Sequence, residues 1–255
     1  MRYALKVTYD GTNYGGWQIQ NNARTVQEEL EQAACEVFGC AVKMTGSGTT
    51  DAGVHAEGQA CHFDVQTDIP AEKIATCLNL RLPDDVRVIT SVRAEGFDAT
   101  KGKQKTYRYS FYYSSCELPL LTRYAVRVRR LPDHDVMNAA ARLYEGRHDY
   151  KAFCAAGSSA KTSERNVLSA KVVKTTYPDR IQFDFFVTGE GFLYNMVRIM
   201  AGELYEVGCG KPCEIENAFA TGRRDLLGKT MPAKGLTLVC VEYDPSPFEN
   251  RGGGV

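Results

Sequence analysis

The chain has 255 residues, 44% of them hydrophobic, and its 31 basic and 31 acidic side chains cancel to zero formal charge. That is apolar material for one large core or two smaller ones, and any basic surface must be local. No run approaches the roughly 18 apolar residues of a membrane span. The opening Met1-Arg2-Tyr3-Ala4-Leu5-Lys6 has no signal-peptide pattern, and Cys209 and Cys213 have no second pair to complete a zinc set. The expectation is a cytoplasmic protein with reduced thiols, away from membranes, and with neither metal nor cofactor.

Tyr3, Leu5, Val7 and Tyr9 alternate with Ala4, Lys6 and Thr8, predicting a half-buried strand closed by Asp10-Gly11. Thr25-Val26-Gln27-Glu28 is a capping box, and Val26, Leu30, Ala33, Val37 and Phe38 fall on one helical face that Gly39 ends. Strands are expected at Ala41, Val42 and Met44 and again at Cys61, Phe63 and Val65, with the loop Gly46 to Gly58 between them. Pro70 starts a second helix with Ile74, Cys77 and Leu78 inward, and Val86 to Val92 reads as a strand. The order is βαββαβ.

The second half repeats that order. Tyr107, Tyr109, Phe111 and Tyr113 alternate along a strand, and Arg123 to Arg129 can add another. Asp133 caps a helix through Leu143 that Gly146 ends, and strands follow at Leu168 to Lys174 and Ile181 to Val187. A longer helix runs from Leu193 to Val207, a short one from Ile215 to Ala220, and a last strand from Leu236 to Tyr243. The predicted fold is α+β: two ferredoxin-like βαββαβ units side by side, forming a largely antiparallel sheet with helices on one face and a cleft between the halves. The expected units are residues 1–103 and 104–246, joined at the basic junction Lys101 to Lys105, with a flexible tail over 247–255.

Three features could carry chemistry. In Gly46 to Gly58, glycines flank Asp51, with His55 four residues on; this is either a plain glycine turn or a carboxylate held on a rigid frame. Tyr107 and Tyr109 share one sheet face, as stacking rings in RNA-binding folds do, or as ordinary core does. Arg198 lies one residue off the apolar stripe of its helix, where it either pairs with a carboxylate or reaches solvent. Basic clusters at Arg127, Arg129 and Arg130, at Arg223 and Arg224, and at Lys101, Lys103 and Lys105 fit an RNA surface better than a membrane one. Residue patterns alone stop short of a reaction.

TYDGTNYGGWQIQNNARTVQEELEQA (Thr8 to Ala33), TDAGVHA (Thr50 to Ala56), KTYRY (Lys105 to Tyr109), HDYKAFCAAGSS (His148 to Ser159), GFLYNMVRIMAG (Gly191 to Gly202) and PAKGLTLVCVEY (Pro232 to Tyr243) together resemble the tRNA pseudouridine synthase A family. The resemblance implies isomerisation of uridine in the anticodon stem-loop of tRNA without cofactor or metal, by a homodimer with tRNA lying across both subunits. By the same resemblance Asp51 is the nucleophile, attacking the sugar C1′ or the base C6. Tyr107 stacks on the base, Arg198 pairs with the catalytic aspartate, Leu193 is a nearby apolar contact, and Arg24 and Thr49 lie at substrate-binding positions.

The sequence departs from the family twice. Thr49 stands where the family has arginine, and Phe97-Asp98-Ala99-Thr100 replaces Phe-His-Ala-Arg. Losing these charges near an RNA path predicts weaker or altered tRNA binding. Two other readings therefore stay open: a diverged relative that binds RNA without modifying it, and a hydrolase using Asp51 and His55.

Overall fold

The structure, a computed structural model, describes residues 1–158 and 160–249. Its regular elements are, in chain order, β1 (Arg2–Tyr9), α1 (Val26–Phe38), β2 (Thr45–Gly46), β3 (His55–Asp64), α2 (Ala71–Asn79), β4 (Val86–Arg93), β5 (Gln104–Tyr113) and β6 (Val126–Val128). There follow α3 (His134–Arg142), β7 (Gly146–Asp149), β8 (Glu164–Thr176), β9 (Ile181–Gly189), α4 (Met196–Gly208), α5 (Ile215–Thr221) and β10 (Leu236–Glu242). They form two units, Met1–Lys103 with the chain from Leu238 onward, and Gln104–Thr237.

In the first unit β1 lies between β4 and β3, antiparallel to both, and β10 follows on the far side of β3. Leu5 and Val7 of β1 are wholly buried, as their alternation predicts. The N-cap half of the expected capping box is present: the Thr25 hydroxyl accepts the Glu28 N–H at 3.4 Å, and Gly39, at φ +69°, closes α1 in the left-handed conformation. Ala41 to Met44, expected as a strand, forms none; the two residues of β2 that follow pair with Cys61 and His62 of β3. Side chains of α1 take the backbone groups of Met44 instead: Gln27 Nε2 donates to its carbonyl and its N–H donates to Glu31 Oε1, both at 2.9 Å.

The closing strand was expected in the second half, yet from Leu238 it belongs to the first unit. Gly58 of β3 makes this fit: a Cβ there would lie 2.6 Å from the Val239 carbonyl oxygen. The Lys103 N–H donates to the Glu242 carbonyl at 2.7 Å, and the Tyr243 hydroxyl to that of Ala99 at 2.8 Å. Of the tail expected to fray, Phe248 rests edge-to-face on Phe97, and 250–255 lie outside the described residues, as does Ser159.

In the second unit β9 is antiparallel to both β5 and β8, with β7 beyond β8 and β6 running parallel to the end of β5. The extra strand foreseen near Arg123 to Arg129 is β6, while β7 was not foreseen. Phe111, Phe183 and Phe185 fill the core, with Phe111 stacked on Phe183 at 5.6 Å. Helices α3 and α4 pack on each other, and α3 covers β8.

Candidate active site

Asp51 sits, half-buried, in the loop that enters β3 at the end of the sheet where β1 also ends. Residues 9–17 clamp that loop. The Trp17 N–H donates to the Thr50 carbonyl at 3.1 Å, and the Gly53 N–H to that of Tyr14 at 3.2 Å. The Tyr9 and Thr50 hydroxyls share a buried hydrogen bond of 2.7 Å. Beneath the loop, the Ser47 hydroxyl and the Ala60 N–H both donate to Gln59 Oε1, whose amide in turn donates to the Gly48 carbonyl. The loop itself turns with the Val54 N–H donating to the Asp51 carbonyl, Gly53 being at φ +77°.

The clamp is close enough to exclude side chains. A Cβ on Gly16 (φ +106°) would lie 2.4 Å from the Thr50 carbonyl oxygen, and one on Gly11 2.0 Å from that of Val54. A Cβ on Gly46 would lie 2.5 Å from Nε1 of Trp17, whose indole is buried. Truncating a buried tryptophan to alanine costs roughly 3–5 kcal/mol. The clamp is itself anchored: the Gly16 and Trp17 carbonyls accept the Val26 and Gln27 N–H groups, which open α1 and have no partner within the helix.

His55 closes the loop. Its Nδ1 accepts the Gly11 N–H at 3.0 Å and lies 3.2 Å from Asp10 Oδ1. A ring nitrogen that accepts a backbone proton and faces a carboxylate across the turn acts as a fastener, which gives the hydrolase reading no support.

Thr49 belongs to this loop, and Arg24 touches the residues that clamp it. The Arg24 carbonyl accepts the Gly15 N–H, its guanidinium lies 5.0 Å above the Tyr14 ring, and it pairs with Glu29. Burial, with a 2.5 Å hydrogen bond to Asp85, pushes the Tyr14 hydroxyl far above its usual range, so it stays protonated and holds the turn. Thr49 is exposed.

In the second unit the two tyrosines of β5 part company. Tyr109 is fully buried, its hydroxyl donating to the Pro232 carbonyl at 2.7 Å, so it is core and cannot stack on a base. Tyr107 is half-buried and meets Phe192 edge-to-face at 5.2 Å. Phe192 leads into Leu193, which is buried and whose carbonyl accepts the Met196 N–H. Asn195, at φ +59°, turns the chain into α4. Its Oδ1 accepts from Arg198 Nη1 at 2.5 Å, while Arg198 Nε donates to the Met231 carbonyl at 2.7 Å. Within this unit, then, the guanidinium is steered by two neutral acceptors.

The basic clusters are less available than the sequence suggests. Arg127 donates to the Ser114 and Ser115 carbonyls, Arg130 to that of Cys209 and Arg224 to that of Leu227, while Arg223 pairs with Asp225. Each of these holds a loop. Phe97-Asp98-Ala99-Thr100 also has its own logic. Asp98 accepts from the N–H and hydroxyl of Thr100, and these bonds hold its carboxyl below the usual range. His62 Nδ1 accepts the Ala99 N–H at 3.1 Å.

The sequence profile described as "tRNA pseudouridine synthase" matches residues 6–99 and 140–244. A tRNA pseudouridine synthase A from Acetivibrio thermocellus is 42% identical over 243 residues, covering 94% of this chain and 98% of its own. The protein of that name from Shouchella clausii is 40% identical over 258 residues, covering 99% and 97%. The chain belongs to the tRNA pseudouridine synthase family. A more distant likeness to a solved structure titled "Crystal Structure of a Cbf5-Nop10-Gar1 Complex" covers 82% of this chain and 54% of that one, at 10% identity and a TM-score of 0.33, and has no bearing on the site.

Gly15-Gly16-Trp17, which backs the Asp51 loop, lies inside the matched region. Residue patterns mark Tyr9 as a strand residue and give Gly16 and Trp17 no part in the site. The doubled glycine before the sole tryptophan was the available signal. Asn195 and Met231 are not read as partners of Arg198 either; the spacing of three from Asn195 to Arg198 is a local signal, whereas nothing local marks Met231.

Proposed function

We propose that the chain isomerises uridine to pseudouridine in tRNA, with Asp51 as nucleophile and the anticodon stem-loop as the substrate region. The observation that carries this reading is that near-complete family likeness coincides with a loop built to hold one carboxylate fixed. Asp51 attacks the flipped nucleotide at the sugar C1′, displacing N1, or at the base C6, after which the N1–C1′ bond breaks; the base turns so that C5 bonds to C1′, and the Asp51–C1′ or Asp51–C6 bond breaks to return the free carboxylate. C5 then gives up its proton and N1 gains one, so the reaction is a balanced isomerisation. Tyr107 offers a ring in place of the stacking that a flipped base loses, with Leu193 beside it. Arg198 supplies the positive charge that keeps a nucleophilic carboxylate ionised where water is scarce. Arg24 and Thr49 contact the RNA.

No helix among the described residues is long and apolar enough to cross a membrane, and a cytoplasmic homodimer acting on tRNA is part of the proposal. The test uses tRNA carrying 5-tritiated uridine, because loss of the C5 proton releases tritium. Release by the wild-type protein and none by Asp51→Asn is the expected result. Tritium release equal in both proteins refutes the assignment of Asp51. Retained tRNA binding with no release from any tRNA by the wild type favours the RNA-binding relative that does not modify.

A further inference from the structure

Glu203 lies five residues beyond Arg198 on α4, is wholly buried, and has no part in the proposed chemistry. Its Oε2 accepts the Gly228 N–H at 2.6 Å and the Lys211 ammonium at 2.8 Å. Lys211 also donates to the Leu226 carbonyl at 2.8 Å. One carboxylate thus draws two points of the segment from Leu226 to Met231 onto α4. The segment seats where neither side carries a side chain: a Cβ on Gly202 would lie 1.9 Å from the Lys229 carbonyl oxygen, and one on Gly228 2.8 Å from that of Gly202. At its far end, the Met231 N–H donates to the Arg198 carbonyl at 3.2 Å, and the Met231 carbonyl receives Arg198 Nε at 2.7 Å.

The geometry points to Glu203 as a positioning residue for Arg198, acting through the Leu226-to-Met231 segment. Stability alone is a poor account of this buried group. An ion pair recovers little beyond the desolvation of its charges, and the second oxygen, Oε1, has no hydrogen-bond partner among the described residues. Fixing a carbonyl is a different task. The direction of a guanidinium follows from its acceptors, and Arg198 has one acceptor on its own helix and one on the segment that Glu203 holds. Supporting contacts of this kind set the precision of a site.

The inference rests on the reading of Arg198 as part of the site. The test compares Glu203→Leu, which removes the acceptor at similar volume, with Glu203→Gln, which keeps an oxygen for the Gly228 N–H. Single-turnover pseudouridine formation in tRNA and thermal melting are measured for each. Glu203→Leu is expected to lower the rate constant roughly 10- to 100-fold, the loss that a misplacement of about 1 Å brings, with little change in the half-saturating tRNA concentration. Glu203→Gln is expected to recover most of that rate. In an Arg198→Lys background, Glu203→Leu is expected to cost less than about twofold, because the group being aimed has already gone.

If Glu203→Leu does not fold at the assay temperature, Gly228→Ala tests the same seat from the other side and is expected to show the same rate loss. A folded variant of either kind with an unchanged rate overturns the inference, and so does a full Glu203→Leu loss persisting in the Arg198→Lys background. Full activity in Arg198→Met removes the assignment of Arg198 along with the inference. A crippled Arg198→Met beside an unaffected Glu203→Leu removes the inference alone.

Discussion

Gly16→Ala tests the clamp on the Asp51 loop. The new Cβ would start 2.4 Å from the Thr50 carbonyl oxygen, and ordinary contact begins near 3.4 Å, so clamp and loop must separate by the difference, about 1 Å. The Asp51 carbonyl carbon, at 3.1 Å, and the Ala52 nitrogen, at 3.3 Å, lie in the same path, so the displacement falls on the backbone of Asp51, the proposed nucleophile. A left-handed backbone adds its own cost of roughly 1–2 kcal/mol for a residue with a Cβ. A misplacement of about 1 Å at a reacting group costs on the order of 100-fold in rate. Tritium release in single turnover, with thermal melting alongside, separates the two effects. Gly39→Ala is the control: it meets the same left-handed requirement at φ +69° with nothing within 4 Å and lies away from the loop. Both variants are expected to lose roughly 1–2 kcal/mol of stability from backbone strain, and Gly16→Ala more from the clash. Only Gly16→Ala is expected to lose about 100-fold in rate. A folded Gly16→Ala protein within threefold of wild type, or an equal rate loss in Gly39→Ala, would refute the reasoning.

Restoring arginine at exposed position 49 should strengthen tRNA binding at low salt. The slope of log affinity against log salt should steepen by about 0.7–0.9, the contribution of one further phosphate contact; an unchanged slope places Thr49 away from the RNA. His62 should make the protein acid-sensitive. Burial, then the nearby Arg2 guanidinium, lowers its pKa from 6.5, against the weaker pull of Asp98 and Asp64. The folded state therefore binds fewer protons than the unfolded one once pH falls below about 6.5, so stability is full above that value and declines from there to the lowered folded pKa. His62→Asn, which keeps an acceptor for the Ala99 N–H but does not titrate, should flatten that decline in denaturant titrations between pH 7 and 5. A decline of unchanged steepness assigns the acid sensitivity to other groups.

Much of the fold was legible because its signals are local. Alternation along Tyr3 to Tyr9 and Tyr107 to Tyr113, the Thr25 and Asp133 caps, and the Gly39 stop all act within a few residues, and each element they predict is present. Where a longer-range partner competes, the local reading fails: Met44 gives its backbone groups to α1 rather than to a strand. The two tyrosines of β5 show the same limit. Their shared parity is plain in the sequence, but burial turns Tyr109 into core and leaves Tyr107 half-buried.

The sequence by itself determined most of the strands and helices, the family, and which carboxylate, ring and guanidinium are candidates for chemistry, because those are recorded in residue identity and spacing. Only the tertiary structure decided that β10 from Leu238 onward joins the first unit, that residues 9–17 clamp the loop of Asp51, and that Glu203 and Met231 reach Arg198 through one segment. Those links join groups 33 to 41 residues apart at the clamp, 33 between Arg198 and Met231, and 25 between Glu203 and Gly228. Hydrogen bonds and steric exclusion over such separations exist only once the chain has closed on itself, so the rigidity of the Asp51 loop is a property of the folded protein.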